Sequence, residues 1–227
     1  MAKGTIKIEP LKETQLHVQI IGDSDLILHG RSRYYLQSEI WKQQHPKGAE
    51  PPAIYKQDKN VWESLITSIH WKNPIQFHDE DISFYSEGEW KEYMQNNQPC
   101  ILAIAFYKSF AESFITFFKD NIKKNGTDVK RAINMIGGIY PITFAGVEVQ
   151  HSIVPTSGAS SGSPVLASCN VFHGWQCEID LSCPDVVFPY ETVLSIIQAT
   201  GRYIGIGTQR MNGYGRYHIG DIQVAKQ

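Results

Sequence analysis

Near its C-terminus the chain reads Gly201-Arg-Tyr-Ile-Gly-Ile-Gly-Thr-Gln-Arg-Met-Asn-Gly-Tyr-Gly-Arg-Tyr-His-Ile219. Gly205 and Gly207 form one G-x-G pair, and Gly213 and Gly215 form a second. Glycine reaches φ > 0 without a steric penalty and lets another backbone come into contact, so this stretch must bend sharply or lie against a neighbour. Arg202, Tyr203, Arg210, Tyr214, Arg216 and Tyr217 are interleaved with the glycines. They bring charge and flat stacking faces to the bend. Two readings follow for the glycine pairs. In one, exposed backbone N–H groups line a groove for phosphates. In the other, the pairs make a tight hairpin or bulge at a helix–strand junction. A dinucleotide fingerprint is excluded, because that motif needs strand, turn and then helix, and the lysine of a phosphate-binding P-loop is missing too.

The rest of the chain reads as one mixed domain. Residues 15–21 alternate, with Leu16, Val18 and Ile20 on one face, and predict a first strand; Ile6-Lys-Ile8 predicts a shorter one before it. Leu26-Ile-Leu28 follows a turn, and residues 31–44 suit a helix. Residues 45–52 form a loop rich in proline, residues 60–71 are ambiguous between helix and extended chain, and residues 72–99 read as polar and irregular. Tyr107, Phe110, Phe114 and Phe117 share helical spacing and predict a buried helix over 107–123, ended by Asn125-Gly126. A short helix is expected over 128–135, capped by Thr127 or Asp128. Residues 139–153 predict one or two strands, residues 155–164 a flexible loop, and residues 174–181 another strand. Pro189 opens a helix that Gly201 ends, and residues 204–207 and 216–219 then form a last hairpin. The fold class predicted is α+β, an antiparallel sheet with helices on one face, an inserted region at 45–99 and a flexible hairpin loop.

Composition narrows function. The net charge of −2 gives no bulk attraction to nucleic acid, so binding would need a local basic patch. The four cysteines, Cys100, Cys169, Cys177 and Cys183, make no C-x-x-C pair, so no metal site is predicted and buried thiols are expected. No stretch is apolar and long enough to span a bilayer, and the N-terminal residues lack a signal core, so a cytoplasmic protein is expected. No cofactor is predicted.

The tail resembles the glycine-rich loop of the RAMP superfamily, ferredoxin-like (RRM-type) proteins that include the Cas7, Cas5 and Cas6 components of CRISPR systems. The matching residues are Gly205, Gly207, Gly213, Gly215, Arg216 and Tyr217. The opening residues 18–30 resemble the start of such proteins, with Asp25 standing where they have proline. Residues 103–111, Lys130-Arg-Ala-Ile133 and residues 199–217 occur in the order seen in Cas7-like proteins encoded by bacteriophages. The resemblance implies a ferredoxin-like fold, binding of single-stranded RNA or DNA, self-association and, in Cas6-like members, RNA cleavage by a histidine.

The candidate nucleic-acid contacts are therefore Arg202, Gly205, Gly207, Arg210, Gly213, Tyr214, Gly215 and Arg216, with a second basic run at Lys123, Lys124, Lys130 and Arg131. A charge run of that kind also reads as a solvated helix face. No catalytic residue is assigned; the enzymatic alternative is a metal-independent endoribonuclease using His29, beside Tyr34 and two arginines. The acidic turn at residues 78–81 offers ligands for a hard cation or, more simply, an exposed loop. A third reading is a module that mimics a CRISPR subunit and engages a host defence protein.

Overall fold

The computed structural model describes residues 11–30, 33–50, 61–73, 86–155 and 164–226. The expected strand at residues 6–8, the acidic turn at 78–81 and the loop tip at 156–163 lie outside them.

The main sheet is antiparallel and runs β10-β1-β9-β6-β4-β3, with β5 also paired to β9. Next to the edge, β1 (Glu13–Gly22) is flanked by β10 (Tyr217–Lys226) and β9 (Gln176–Pro184). Beyond β9 lie β5 (Asn134–Ile136) and β6 (Ile139–Thr143), then β4 (Pro99–Leu102) and β3 (His70–Trp71). One long helix, α4 (Ala103–Phe117), precedes β5, and α7 (Tyr190–Ala199) joins β9 to β10. Taking β1, β5/β6, β9 and β10 as four successive strands gives the spatial order 4-1-3-2 with a helix in each crossover. That is the ferredoxin-like arrangement.

The burial pattern explains why the helices share one face. Leu16, Val18 and Ile20 of β1 and Cys177, Ile179 and Leu181 of β9 are buried, while Gln15, His17 and Gln19 are half-buried and Gln176, Glu178 and Asp180 are exposed. Phe106, Phe110 and Phe114, four apart on α4, meet Val193, Ile196 and Ile197 of α7 over that surface in one core cluster. Burying each such side chain contributes about 1.5–3 kcal/mol.

A second sheet, β2-β8-β7, is built from β2 (Leu26–Leu28), β7 (Gly146–Pro155) and β8 (Pro164–His173). The last two pair continuously from Gly146↔His173 to Pro155↔Pro164. Each arm has ten residues, which makes a hairpin about 30 Å long at ~3.3 Å per residue.

Several expectations change. Residues 72–99 are not irregular throughout: α3 (Glu87–Asn96) starts at a reciprocal capping box between Ser86 and Glu89 and buries Trp90 and Met94. The ambiguous segment resolves into α2 (Val61–Thr67) followed by β3. The helix predicted over 107–123 starts at Ala103, directly after β4, and breaks at Phe118 before the short α5 (Lys119–Ile122). Asn125 does not end it; its side chain accepts from the Thr127 and Asp128 amides and starts α6 (Gly126–Ala132). Helix α1 (Arg33–Gln44) lies within the predicted span. Strand β8 was not anticipated. The expected hairpin of residues 204–207 with 216–219 does not form, because β10 runs ten residues along β1 instead.

Candidate nucleic-acid interface

Helix α7 does not stop at Gly201. It widens into a π-helical turn over Thr200–Ile204, closed by the Gly205 amide donating to the Thr200 carbonyl at 2.7 Å. The chain then crosses to the β1–β2 turn. Gly207 has φ +84°, and a Cβ there would lie 2.6 Å from the Ile27 carbonyl oxygen. Gly215 has φ +70° and leaves no room for a Cβ against the Ile206 carbonyl. These two glycines are required by close backbone approach. Gly213, at φ +91°, turns in open space after a 3-10 turn over Arg210–Asn212.

The loop is fastened to residues 22–28 along its length. The Gly215 amide donates to the Asp25 carbonyl (2.8 Å), the Thr208 amide to the Ile27 carbonyl (3.0 Å), and the Ile206 amide to the Gly215 carbonyl (2.9 Å). Ser24 Oγ donates to the Gly213 carbonyl (2.8 Å) and accepts the Arg216 amide (2.9 Å). His218 Nδ1 lies 2.6 Å from Asp23 Oδ1, and His173 Nδ1 lies 2.8 Å from Asp25 Oδ1. The amides of Gly205, Ile206, Thr208, Gly215 and Arg216 are therefore committed within the fold. Side chains, rather than these amides, are what the loop offers to a ligand.

Those side chains differ in availability. Arg210 Nη1 donates to Ser109 Oγ and to Glu112 Oε2, both at 3.0 Å, so α4 already neutralises it. Tyr214 is held against Ile27, Cys169 and Val171, and its hydroxyl donates to Gln150 Oε1 at 3.3 Å; its ring is a brace for the hairpin base. Arg202 is exposed, with its guanidinium 5.4 Å from the Tyr203 ring centre. Tyr203 in turn lies 5.1 Å from Phe117, and both rings are about half exposed. Arg216 is the distinctive residue. Its Nη1 is fully buried and has no hydrogen-bond partner among the described residues. A guanidinium nitrogen withdrawn from water without an acceptor is costly.

The second basic run sits on α5, α6 and the turn between them. Lys123 is exposed in a left-handed turn, and Lys124 lies over the Phe188 ring at 5.6 Å. Lys130 and Arg131 are exposed in the last turn of α6, which packs along α4. His29 is exposed just after β2, and Tyr34 stands in the first turn of α1. One neighbour expected beside them, Arg31, lies outside the described residues.

The open face of the main sheet has the opposite character. Gln15, His17 and Gln19 of β1 lie across from Ser182, Asp180 and Glu178 of β9. His17 sits 2.8 Å from Asp180 and 3.8 Å from Glu178. A hollow of about 520 Å³ beside them is lined by Gln19, Lys72, Tyr140, Glu178 and Asp180, among others. Carboxylates on this face repel a polyanion. The four cysteines are free and buried. Burial pushes the Cys100 and Cys183 thiols up to about 11, so neither is a nucleophile near neutrality. Among the described residues no group of three or more His, Cys, Asp or Glu side chains is arranged to hold a metal ion. No helix there is long and apolar enough to cross a membrane.

No protein-family model and no curated protein matches the sequence. Solved structures do. One is a chain of the Type III-B Cmr-beta complex bound to cognate target RNA, at 13% identity and a TM-score of 0.49, over 95% of this chain and 61% of that one. Another belongs to a CRISPR RNA-guided surveillance complex in a pre-nicking state, at 9% identity and a TM-score of 0.26, over 93% of this chain and 75% of that one. The present chain thus spans about three-fifths of the Cmr-beta chain it resembles.

Proposed function

We propose that this protein binds single-stranded RNA or DNA through the side chains of its C-terminal loop, does not cut it, and works in more than one copy. The observation that carries the reading is Arg216. Its backbone is locked by Ser24, while its buried Nη1 lacks an acceptor among the described residues. Arg216 as a whole is only part-buried, so a phosphate oxygen reaches the guanidinium from its open side and brings the missing negative charge. Arg202, stacked on Tyr203 beside Phe117, adds an exposed cation and two flat faces on which bases can stack. Lys123, Lys124, Lys130 and Arg131 add cations at the end of α5, in the turn after it and on α6. The resemblance of the ordered sequence segments to phage Cas7-like proteins points the same way.

The test is fluorescence anisotropy with labelled single-stranded RNA and DNA oligonucleotides over a range of salt. Wild type should bind with an affinity that falls as salt rises, and Arg216→Ala should bind more weakly with a flatter salt slope. No binding at low salt would overturn the reading. Hairpin RNA incubated without metal should stay intact; a cleaved product lost in His29→Ala would favour the endoribonuclease alternative instead.

One observation favours a second reading. The open sheet face carries Glu178 and Asp180 and the net charge is −2. That surface suits a basic protein partner, as expected of a module that mimics a CRISPR subunit and engages host defence. Capture of the same partner by wild type and by Arg216→Ala, after nuclease treatment, would support this reading over the first.

A further inference from the structure

Strand β10 ends the main sheet, and among the described residues its outer edge is paired with nothing. Residues Asp221 to Lys226 are all exposed. On the helix-facing side the strand shows Ile222 and Val224, which are 42% and 43% exposed although they lie opposite the buried Val18 and Leu16. A groove of about 530 Å³ runs between α7 and β10, lined by Leu194, Ala199, Tyr203, Ile219 and Ile222. An unpaired edge with an apolar helix-facing side is a template for another strand. One usual guard is present, a register shift in the β1–β10 pair between Val18 and Ile20, but it lies before Ile222 and the pairing from Ile222 to Lys226 is regular. No proline interrupts β10, and Lys226 turns back over the Tyr190 ring of its own α7 at 5.4 Å.

We infer that β10 pairs antiparallel with β10 of a second copy of this chain, joining two main sheets into one across a two-fold axis. The inference concerns the protein free of nucleic acid and does not rest on the binding proposed above. Symmetry restricts the register. A two-fold axis normal to the sheet keeps every residue on its own face, and directly opposed residues share a face, so opposed positions must differ by an even number. Centring on Ile222 sets Val224 against Gly220, and centring on Val224 sets Ile222 against Lys226. Centring on Gln223 matches Ile222 with Val224 of the second copy twice. It also sets Asp221 against Ala225, so no like charges meet. The apolar side chains that α7 leaves uncovered are the ones this register pairs.

The experiment is a cysteine cross-link together with a solution mass. Opposed residues of an antiparallel pair have Cα atoms about 4.5–5.5 Å apart, within the usual disulfide span of about 4.4–6.8 Å. Gln223→Cys should therefore form a covalent dimer under mild oxidation with glutathione disulfide. Ala225→Cys, about 13 Å from its own copy at ~3.3 Å per residue, should not. The native thiols are buried and give no background. Light scattering after size exclusion should give twice the monomer mass for wild type, and Ile222→Lys should lower it to one. Should that variant fail to fold, the cross-link still decides. A wild type that is monomeric at every concentration, or equal cross-linking of Gln223→Cys and Ala225→Cys, would overturn the inference.

Discussion

The Ser24 hydroxyl accepts the Arg216 amide proton at 2.9 Å, joining the β1–β2 turn to the residue just before β10. The same hydroxyl donates to Gly213, and the Arg216 carbonyl accepts from the Asp23 amide at 2.8 Å. One small side chain thus fixes both ends of the segment that carries Tyr214 and leads into Arg216. The bend is rigid because of where it is tied, and its glycines are what allow the ties to be short.

Ser24→Ala removes both side-chain bonds and leaves the Gly213 carbonyl and the Arg216 amide without that partner. The expected cost is about 1–3 kcal/mol. Hydrogen exchange should show faster exchange at the Arg216 amide than in wild type, with β9 unchanged. Equal protection at Arg216 in both proteins would mean that the hydroxyl does not hold the loop.

Arg216→Met should separate stability from binding. Methionine keeps the apolar stem of the side chain and removes a buried nitrogen with no acceptor among the described residues. The thermal midpoint of the free protein should therefore not fall. Affinity for a single-stranded oligonucleotide should drop about tenfold, equivalent to ~1.4 kcal/mol. A lowered midpoint with unchanged affinity would show Arg216 to be structural.

The sequence made some elements legible and hid others for identifiable reasons. Strand β1 is plain because Leu16, Val18 and Ile20 alternate with half-exposed polar residues on a sheet open on one side. Helix α7 is plain because Pro189 stands just before it. Strand β8 was hidden because Cys169, Asn170, Val171 and Phe172 are buried in succession, which erases alternation. Helix α3 had a usable signal, the Ser86-x-x-Glu89 capping box, masked by the polar residues around it. At the candidate site the cationic residues were legible, but their state was not. Arg210 meets Glu112 across 98 positions of sequence, and no local pattern announces such a pair. Gly201 read as a helix end; its true constraint is the lack of space for a Cβ against Tyr217.

Asn170 is the buried joint between β8 and the helices before it. Its Oδ1 accepts from Trp90 Nε1 at 3.0 Å and its Nδ2 donates to the Leu65 carbonyl at 2.9 Å. Asn170→Ala strands both groups in the core and should cost about 3 kcal/mol. Urea unfolding should show a lower midpoint. An unchanged midpoint would mean that α2 and α3 are held to β8 by apolar contact alone.

Stability should fall on the alkaline side, and the thiols give the direction. Burial is the leading cause that pushes Cys100 and Cys183 from 9.0 up to about 11; Lys72 opposes it at Cys100, while Asp185, Glu13 and Glu191 reinforce it at Cys183. Between these values the unfolded chain loses thiol protons that the folded chain keeps. The unfolded state then binds fewer protons, so unfolding becomes easier with each rise in pH. Below 9.0 the thiols are protonated in both states and contribute no slope. Urea midpoints measured across this range should decline, and Cys183→Ala should flatten the decline even though it lowers the midpoint at neutral pH. The same slope in that variant as in wild type would show that Cys183 is not among the groups driving the decline.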